Sequence, residues 1–346
     1  MNKLIKRFKN NNQVNFVYSQ VIQDMRDRLI KSYQNFFRRV KDKNCKEKGF
    51  PRFKSSVKSI TYPQNNGSFK IINKRLSVSK IGNVPIVKHR EIRGKVKTLT
   101  IKRNKSNQYF AIFLCEEYPS KKVKTKGSVG IDVGLETYAV LSDGVSIENP
   151  RCLINSERKL TRLHRELSRK KKGSNNRKKA KSRLARQYQK IENQRMDFIH
   201  KITSDLSKTY GICKVEDLQI PNMMKNHHLA KSIADASWGT FVNILSYKVV
   251  TNGGQVIKVE PKYTSQTCSS CERKIKMPLN RRTFNCGCGL KINRDLNASI
   301  NINGREGHSQ TYTPDGDCVR PTETKATVYE TGTIFRGDTI GSPHHL

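Results

Sequence analysis

Residues 128–150 read SVGIDVGLETYAVLSDGVSIENP, and their alternation decides the fold. Three short runs rich in β-branched and aromatic residues, 129–133, 138–141 and 146–148, are separated by the turn signals Gly134 and Asp143-Gly144. That pattern predicts three strands joined by tight turns. Residues 155–208 then carry Leu160, Leu163 and Leu167, followed by Leu184, Tyr188, Ile191, Phe198, Ile202 and Leu206, at helical spacing around a turn in 173–176. A helical hairpin follows. A strand over 212–218 comes next, then a helix over 237–250 with Trp238, Phe241, Ile244 and Leu245 inward and Asn252-Gly253-Gly254 as its stop. A strand over 255–259 and a helix starting near 293–295 complete the order. Strands first, then alternating β and α, give an α/β fold with a mixed sheet.

Upstream, Val14, Val17, Val21, Met25, Leu29, Tyr33, Phe36 and Val40 recur every three or four residues, the period of an amphipathic helix. Its other face holds Arg26, Arg28, Lys31, Arg38 and Arg39. Solvent or phosphate would satisfy that face, and the adjoining basic run 41–54 tilts the reading toward phosphate. Between residues 60 and 118, β-rich runs at 69–72, 76–81, 85–87, 98–103 and 109–114 predict a small antiparallel barrel or sheet, with 104–107 as a hairpin loop. The basic stretch 121–126 reads as a linker and sets a domain boundary close to Gly127.

The 346-residue chain has 68 Lys and Arg against 28 Asp and Glu, a net charge of +40. A surface that positive repels itself unless a polyanion neutralises it, so the natural partner is a phosphate backbone. Lys and Arg crowd both arms of the 155–208 hairpin beyond what solvation requires, which reads as an arm gripping nucleic-acid backbone. No apolar stretch approaches the ~18–20 residues of a membrane span. The N-terminus MNKLIKRFKNNNQVNF is basic without an apolar core or cleavage site, so the expected location is the cytoplasm where the chain is made, with no membrane partner.

Four of the nine cysteines fall within 21 residues. Cys268-x2-Cys271 and Cys286-Gly-Cys288 supply two close pairs of thiolates, the donor set of tetrahedral Zn2+. Four thiolates leave no open position, so this is a structural zinc that folds a ribbon too small to fold by itself. Gly287 and Gly289 are read as letting the second knuckle turn. Cys45, Cys115, Cys152, Cys213 and Cys318 read as buried small hydrophobes or incidental thiols.

Asp132 ends the apolar run Val129-Gly130-Ile131, Glu216 ends Ile212-Cys213-Lys214-Val215, and Asp295 begins a helix. Taken singly these are ordinary turn or cap residues. Three separate acids at element ends of one α/β domain are what two hard, oxygen-seeking cations require. They are the candidate catalytic residues and the candidate ligands of two Mg2+ ions.

Four motifs, Gly130-Ile131-Asp132-Val133-Gly134, Val215-Glu216-Asp217-Leu218, Ser265-Gln266-Thr267-Cys268-Ser269-Ser270-Cys271 and Arg294-Asp295-Leu296-Asn297-Ala298-Ser299-Ile300-Asn301-Ile302, closely resemble TnpB, the transposon-encoded RNA-guided nuclease related to type V CRISPR effectors. The resemblance spans roughly residues 13–303. It implies a helical recognition segment over 1–57 and a β-barrel-like wedge over 58–126, which bind guide RNA and target duplex. It further implies an RNase H-like (RuvC) domain over 127–262, a zinc ribbon inserted at 263–292, and the last RuvC helix at 293–303. By motif position Asp132, Glu216 and Asp295 fall on the catalytic triad. The chain departs from the family in lacking the basic strand and helix that usually open it, and in having Asn293 where many members have Asp.

The resemblance implies an Mg2+-dependent endodeoxyribonuclease of a transposable element, with guide RNA and target double-stranded DNA as partners. In that division of labour, base pairing reads sequence while protein reads a short flanking motif. Two other functions share the features: a transposase joining strands itself, and a guide-directed repressor that does not cut, whose mark would be a lost acid. Tyr62, Phe69, Tyr109, Tyr263 and Trp238 are available to stack on bases, though core packing is the better reading. His227 and His228 read as a polar loop, and 304–346 as a disordered tail.

Overall fold

Apolar residues at helical period produce α1 (Ser19–Lys41), but only its first half joins a core. The computed structural model describes residues 16–43, 45, 47–54, 56–89, 91–92, 94–116, 127–278, 281–310 and 327–335, so Val14 and Cys318 lie outside the described residues. Two units are distinguished: the chain to Tyr118 together with Thr324–Leu346, and Pro119–Glu323.

In the first unit, α1 is followed by β1 (Ser59–Tyr62), β2 (Phe69–Ile72), β3 (Arg75–Val78), β4 (Gly82–Pro85), β5 (Lys95–Arg103) and β6 (Tyr109–Glu116), and β15 (Thr327–Phe335) completes it. Alternate residues of β6, Ala111, Phe113 and Cys115, point into one core with Tyr62, Phe69, Leu76, Val78 and Leu99, as the period of two dictates. The described strands pair as two antiparallel sheets, β1-β5-β6-β15 and β2-β3-β4, rather than as a closed barrel. Asn73 and Lys80 at the meander's turns have positive φ, and this tight winding pairs β2, β3 and β4 with one another. Val21 of α1 joins the core. Arg28, read on a face facing solvent or phosphate, donates to the Ser59 carbonyl at 3.1 Å and pairs with Asp24 at 2.7 Å. Farther along, Leu29, Phe37 and Val40 are exposed, while Tyr33 and Phe36 pack their rings on Phe50.

The second unit holds β7 (Ser128–Val133), β8 (Thr137–Leu141), β9 (Ser146–Glu148), α2 (Cys152–Asn155), α3 (Glu157–Ser168), α4 (Asn175–Thr209) and β10 (Ile212–Glu216). After these come α5 (Ile220–Met223), α6 (His227–Ala236), α7 (Trp238–Thr251), β11 (Gln255–Val259), β12 (Thr283–Asn285), β13 (Lys291–Asn293), α8 (Arg294–Gly304) and β14 (His308–Gln310). The sheet runs β14-β11-β10-β7-β8-β9. β7, β8 and β9 are antiparallel, β10 and β11 run parallel to β7, and β14 is antiparallel to β11. Val129, Ile131, Cys213, Val215 and Val256 share a core with Ile199 and Leu206 of α4 and with Trp238, Phe241, Leu245 and Val249 of α7. Arg195 of α4 pairs with the buried Asp235 of α6 at 2.7 Å, and Asp235 also accepts the Leu153 N–H at 2.9 Å. This buried charge thus ties α2, α4 and α6 together.

Three sequence readings differ from what is observed. His227 and His228 begin helix α6, not a loop: the Asn226 side chain accepts the His228 N–H at 3.1 Å, an N-cap. The second arm of the hairpin starts earlier than expected, because Ser174 caps α4 by accepting the Arg177 N–H, which places Asn175 and Asn176 inside the helix. The stretch 304–346, read as a disordered tail, contributes β14 and β15 where it is described. Residues 327–335 are rich in Thr, Val, Tyr, Ile and Phe, which favour extended structure, and the open edge of β6 supplies their ladder.

Candidate carboxylate site and cysteine centre

Along β7, Val129 and Ile131 face the core, so Gly130 and Asp132 face the opposite side of the sheet; along β10, Lys214 and Glu216 do the same. The parallel register pairs Val215 with Ile131, which makes Glu216 and Asp132 the next residues at the same end of adjacent strands. Helix α8 lies on this second face. Gly130 makes the approach possible, because a Cβ there would stand 2.0 Å from the Ser299 carbonyl oxygen and 2.5 Å from the Asn303 nitrogen. Asp295, in the first turn of α8, is thereby brought to the two strand ends. Asn293 caps that turn, accepting the Asp295 N–H at 2.8 Å and the Leu296 N–H at 3.2 Å.

Burial and neighbouring charge act on these acids. Burial pushes the Asp132 carboxyl well above the usual carboxylate range, and the charges of Glu216 and Asp295 push it further, against the opposing pull of Arg294. Burial also raises Glu216, opposed by the Thr264 hydroxyl, which donates to its Oε1 at 2.6 Å, and by Arg305. These half-buried carboxylates offer the oxygen donors that hard divalent cations such as Mg2+ take, with oxygens that do not all lie within 4.8 Å of one another. Arg282 bridges to Glu136 and reaches Asp295 at 3.7 Å.

The segment between β11 and β12 holds the site from behind. Fully buried Asn297 of α8 accepts the Ser269 N–H at 3.0 Å and donates to the Thr267 carbonyl at 2.8 Å. Asn301, one turn on, donates to the Thr264 and Thr267 carbonyls at 2.8 and 2.6 Å. One loop therefore orients Glu216 through Thr264 and fixes the helix that carries Asp295. Sequence reading quoted these asparagines without giving them a role; their spacing of four, one face of a helix, was the available signal.

That loop leads directly into the cysteine centre. Among the described residues, Cys268, Cys271, Cys286 and Cys288 are the one group of three or more potential metal ligands whose ligand atoms all lie within 4.8 Å of one another. Sulfur separations of 3.7 Å (Cys268–Cys288) and 3.5 Å (Cys271–Cys286) approach the ~3.8 Å edge of a tetrahedron with ~2.3 Å Zn–S bonds. They are far too long for a disulfide, at ~2.05 Å. The thiols therefore fit Zn2+. Phe284, Ile275, Met277, Leu290 and Ile292 pack around them, a core too small to hold the ribbon unaided. Gly289 has φ +94°, whereas Gly287 has neither a positive φ nor a close contact; the knuckle requires only the former.

The other sequence candidates separate by burial. Tyr62, Phe69 and Trp238 are buried in cores, while Tyr109 and Tyr263 are exposed, and Tyr263 lies under Lys262 and Lys274. Arg158, Arg162 and Arg165 of α3, with Arg169 at its end, line a groove of about 680 Å3, while Leu160 and Leu163 of the same helix pack inward with Leu184 and Ile191 of α4. This is one basic face and one apolar face. No described helix is long and apolar enough to cross a membrane.

Residues 112–227 match a family model described as "Probable transposase" (OrfB of IS605), and residues 238–302 match the TNB domain of Cas12f1-like proteins. The chain is 32% identical over 292 residues to a Streptomyces pristinaespiralis protein named "Putative RNA-guided DNA endonuclease", covering 83% of this chain and 71% of that one. It is 34% identical over 303 residues to the Escherichia coli K12 protein "Putative RNA-guided DNA endonuclease InsQ", covering 82% and 73%. A solved Cas12f1–sgRNA–target DNA complex aligns with 20% identity and a TM-score of 0.43, over 60% of this chain and 45% of that one.

Proposed function

The chain belongs to the TnpB family, and we propose that it is an RNA-guided DNA endonuclease of a transposable element, hydrolysing phosphodiester bonds at Asp132, Glu216 and Asp295. One observation supports the reading: Asp132 and Glu216 end adjacent parallel strands, and α8, whose first turn carries Asp295, packs on the same face of the sheet at Gly130. Three antiparallel strands followed by two parallel ones support an RNase H-like (RuvC) domain interrupted by a zinc ribbon over 263–292.

When bound, two Mg2+ ions supply an activated water and stabilise the leaving 3′ oxygen of an in-line displacement. Asp132 would serve both ions; Glu216, oriented by Thr264, and Asp295, oriented through α8, would each serve mainly one. The basic face of the α3–α4 hairpin, with the basic stretch 38–54, would neutralise backbone phosphates of guide RNA and target DNA. Such contacts make affinity fall steeply with salt.

The test is to purify the protein with its bound RNA, sequence that RNA, and present double-stranded DNA carrying the complementary site. RNA-dependent cutting is expected. Strand-transfer product formed without RNA would establish the transposase alternative, and RNA-dependent binding without cutting would establish a repressor.

A further inference from the structure

Arg305, the C-terminal cap of α8, belongs to none of the sequence motifs, yet the fold ties it down on three sides. Its backbone carbonyl accepts from the Lys214 ammonium of β10 at 2.7 Å. Its guanidinium Nη1 donates to the Glu260 carbonyl at 2.7 Å and to the Lys262 carbonyl at 2.8 Å, both just beyond β11. Two residues on, Gly307 lies so close to β11 that a Cβ there would stand 2.2 Å from the Lys258 carbonyl oxygen, and β14 then pairs with β11.

What this clamp holds is a strained turn. Tyr263 has φ +62°, a left-handed conformation uncommon for a bulky side chain. The carbonyls on either side of it are both pinned from α8, Lys262 by Arg305 and Thr264 by Asn301 at 2.8 Å. Such a conformation persists only where its surroundings over-determine it. The Tyr263 carbonyl accepts the Gln266 and Thr267 N–H groups at 3.1 and 3.0 Å, so the turn closes on itself. Thr264 comes directly out of it and donates its hydroxyl to Glu216 Oε1 at 2.6 Å. Asn297, Asn301 and Arg305 follow one another at four-residue intervals, the spacing of one helix face, and Arg305 is the last rung of that ladder.

We propose that Arg305 is a positioning residue for cleavage: by clamping the Glu260 and Lys262 carbonyls it holds the Tyr263 turn, and through it the Thr264 hydroxyl that orients Glu216. The inference rests on Glu216 being a ligand of the catalytic ions, and adds the group that sets its geometry.

The experiment uses the full chain. Arg305→Met keeps an aliphatic stem and removes only the donors. Loaded with guide RNA, this variant should show kcat lower by about 10- to 100-fold, the scale for groups that orient a metal ligand, with KM for target DNA unchanged. Arg305→Lys, whose ammonium still donates, should recover most of the loss. A second readout is independent of turnover: Mn2+, an EPR-visible stand-in for Mg2+, should bind the RNA-free Arg305→Met chain less tightly by a similar factor, and the Gln266 and Thr267 amides should exchange hydrogen faster. Thr264→Val closes the cycle. If Arg305 acts through that hydroxyl, adding Arg305→Met to Thr264→Val should cost no more than about twofold further. Losses that multiply in the double variant, or an Arg305→Met protein with wild-type kcat and Mn2+ affinity, overturn the role. Glu216→Ala separates the two levels: if it is inactive while Arg305→Met and Thr264→Val match wild type, this inference alone fails. If Glu216→Ala cuts like wild type, the cleavage-site reading fails and this inference with it.

Discussion

Substituting Gly130 with Ala adds a single methyl group at the closest approach between β7 and α8. That methyl would sit 2.0 Å from the Ser299 carbonyl oxygen, 2.5 Å from the Asn303 nitrogen and 2.9 Å from the Asn303 Cβ. The two nearest are backbone atoms of a hydrogen-bonded helix, so no side-chain rotation relieves the clash. Reaching ordinary contact at 3.4 Å requires helix and strand to part by roughly 1.4 Å, a shift of the size at which catalytic misplacement costs about 100-fold. Asp295 lies one turn before Ser299 on the same rigid helix and moves with it. Overpacking of this kind costs about 1–3 kcal/mol of stability, which leaves the protein folded. The assay is the single-turnover rate of guided cutting at saturating Mg2+, alongside thermal unfolding and guide-RNA binding. Gly239→Ala serves as control, since its methyl would meet only Ile220 Cδ1 at 3.4 Å. A rate loss of about 100-fold with RNA binding intact is expected. A folded Gly130→Ala protein cutting within threefold of wild type would refute the argument that this glycine places Asp295.

Asn297→Ala leaves the Ser269 N–H without its partner, about 1–3 kcal/mol for that group, while the Thr267 carbonyl keeps Asn301; zinc release to a chromophoric chelator should quicken and cutting should slow together. Asp235→Ala strands Arg195 in a partly buried position and should cost about 3–5 kcal/mol in urea unfolding, with a loss under 1 kcal/mol counting against the tie between α2, α4 and α6. The pH dependence follows from the raised carboxyls. Asp132 and Glu216 bind their protons more tightly folded than unfolded, so their contribution to stability is fully present below the ordinary carboxylate range near pH 4. It is lost as pH rises through the raised values. In Mg2+-free buffer the protein should therefore lose stability across that interval, Asp132→Asn should flatten the slope, and an unchanged slope in that variant would contradict the shift.

The cysteine cluster was legible in the sequence because thiols spaced as knuckles are a local signal, and the proposed acids were nominated by an equally local one, a carboxylate at an element end. The approach of α8 to β7 was not, since it depends on the absence of a Cβ at Gly130 against a helix far along the chain. Asn297, Asn301 and Thr264 carry polar side chains that composition assigns to the surface, and only the fold reveals them as clamps, Asn297 and Thr264 buried and Asn301 half-buried. The helical start at His227 could have been read from Asn226, a good capping residue ahead of the apolar spacing Leu229, Ile233 and Ala236. The strands at 308–310 and 327–335 could not, because an edge strand is stabilised by a partner that the sequence does not name. The second half of α1, outside the first unit's core, is the opposite case: a regular apolar period that predicted the helix correctly but overstated how much of it that core covers.

The most direct measurement is guided cleavage in Mg2+ by Asp132→Ala, Glu216→Ala and Asp295→Ala, each loaded with the same RNA as wild type. If these residues hold the catalytic ions, every variant should bind guide and target normally while its cutting rate falls about 1,000-fold or more, the scale of several kcal/mol of lost transition-state stabilisation. Cutting at near the wild-type rate by any one of the three would contradict the account.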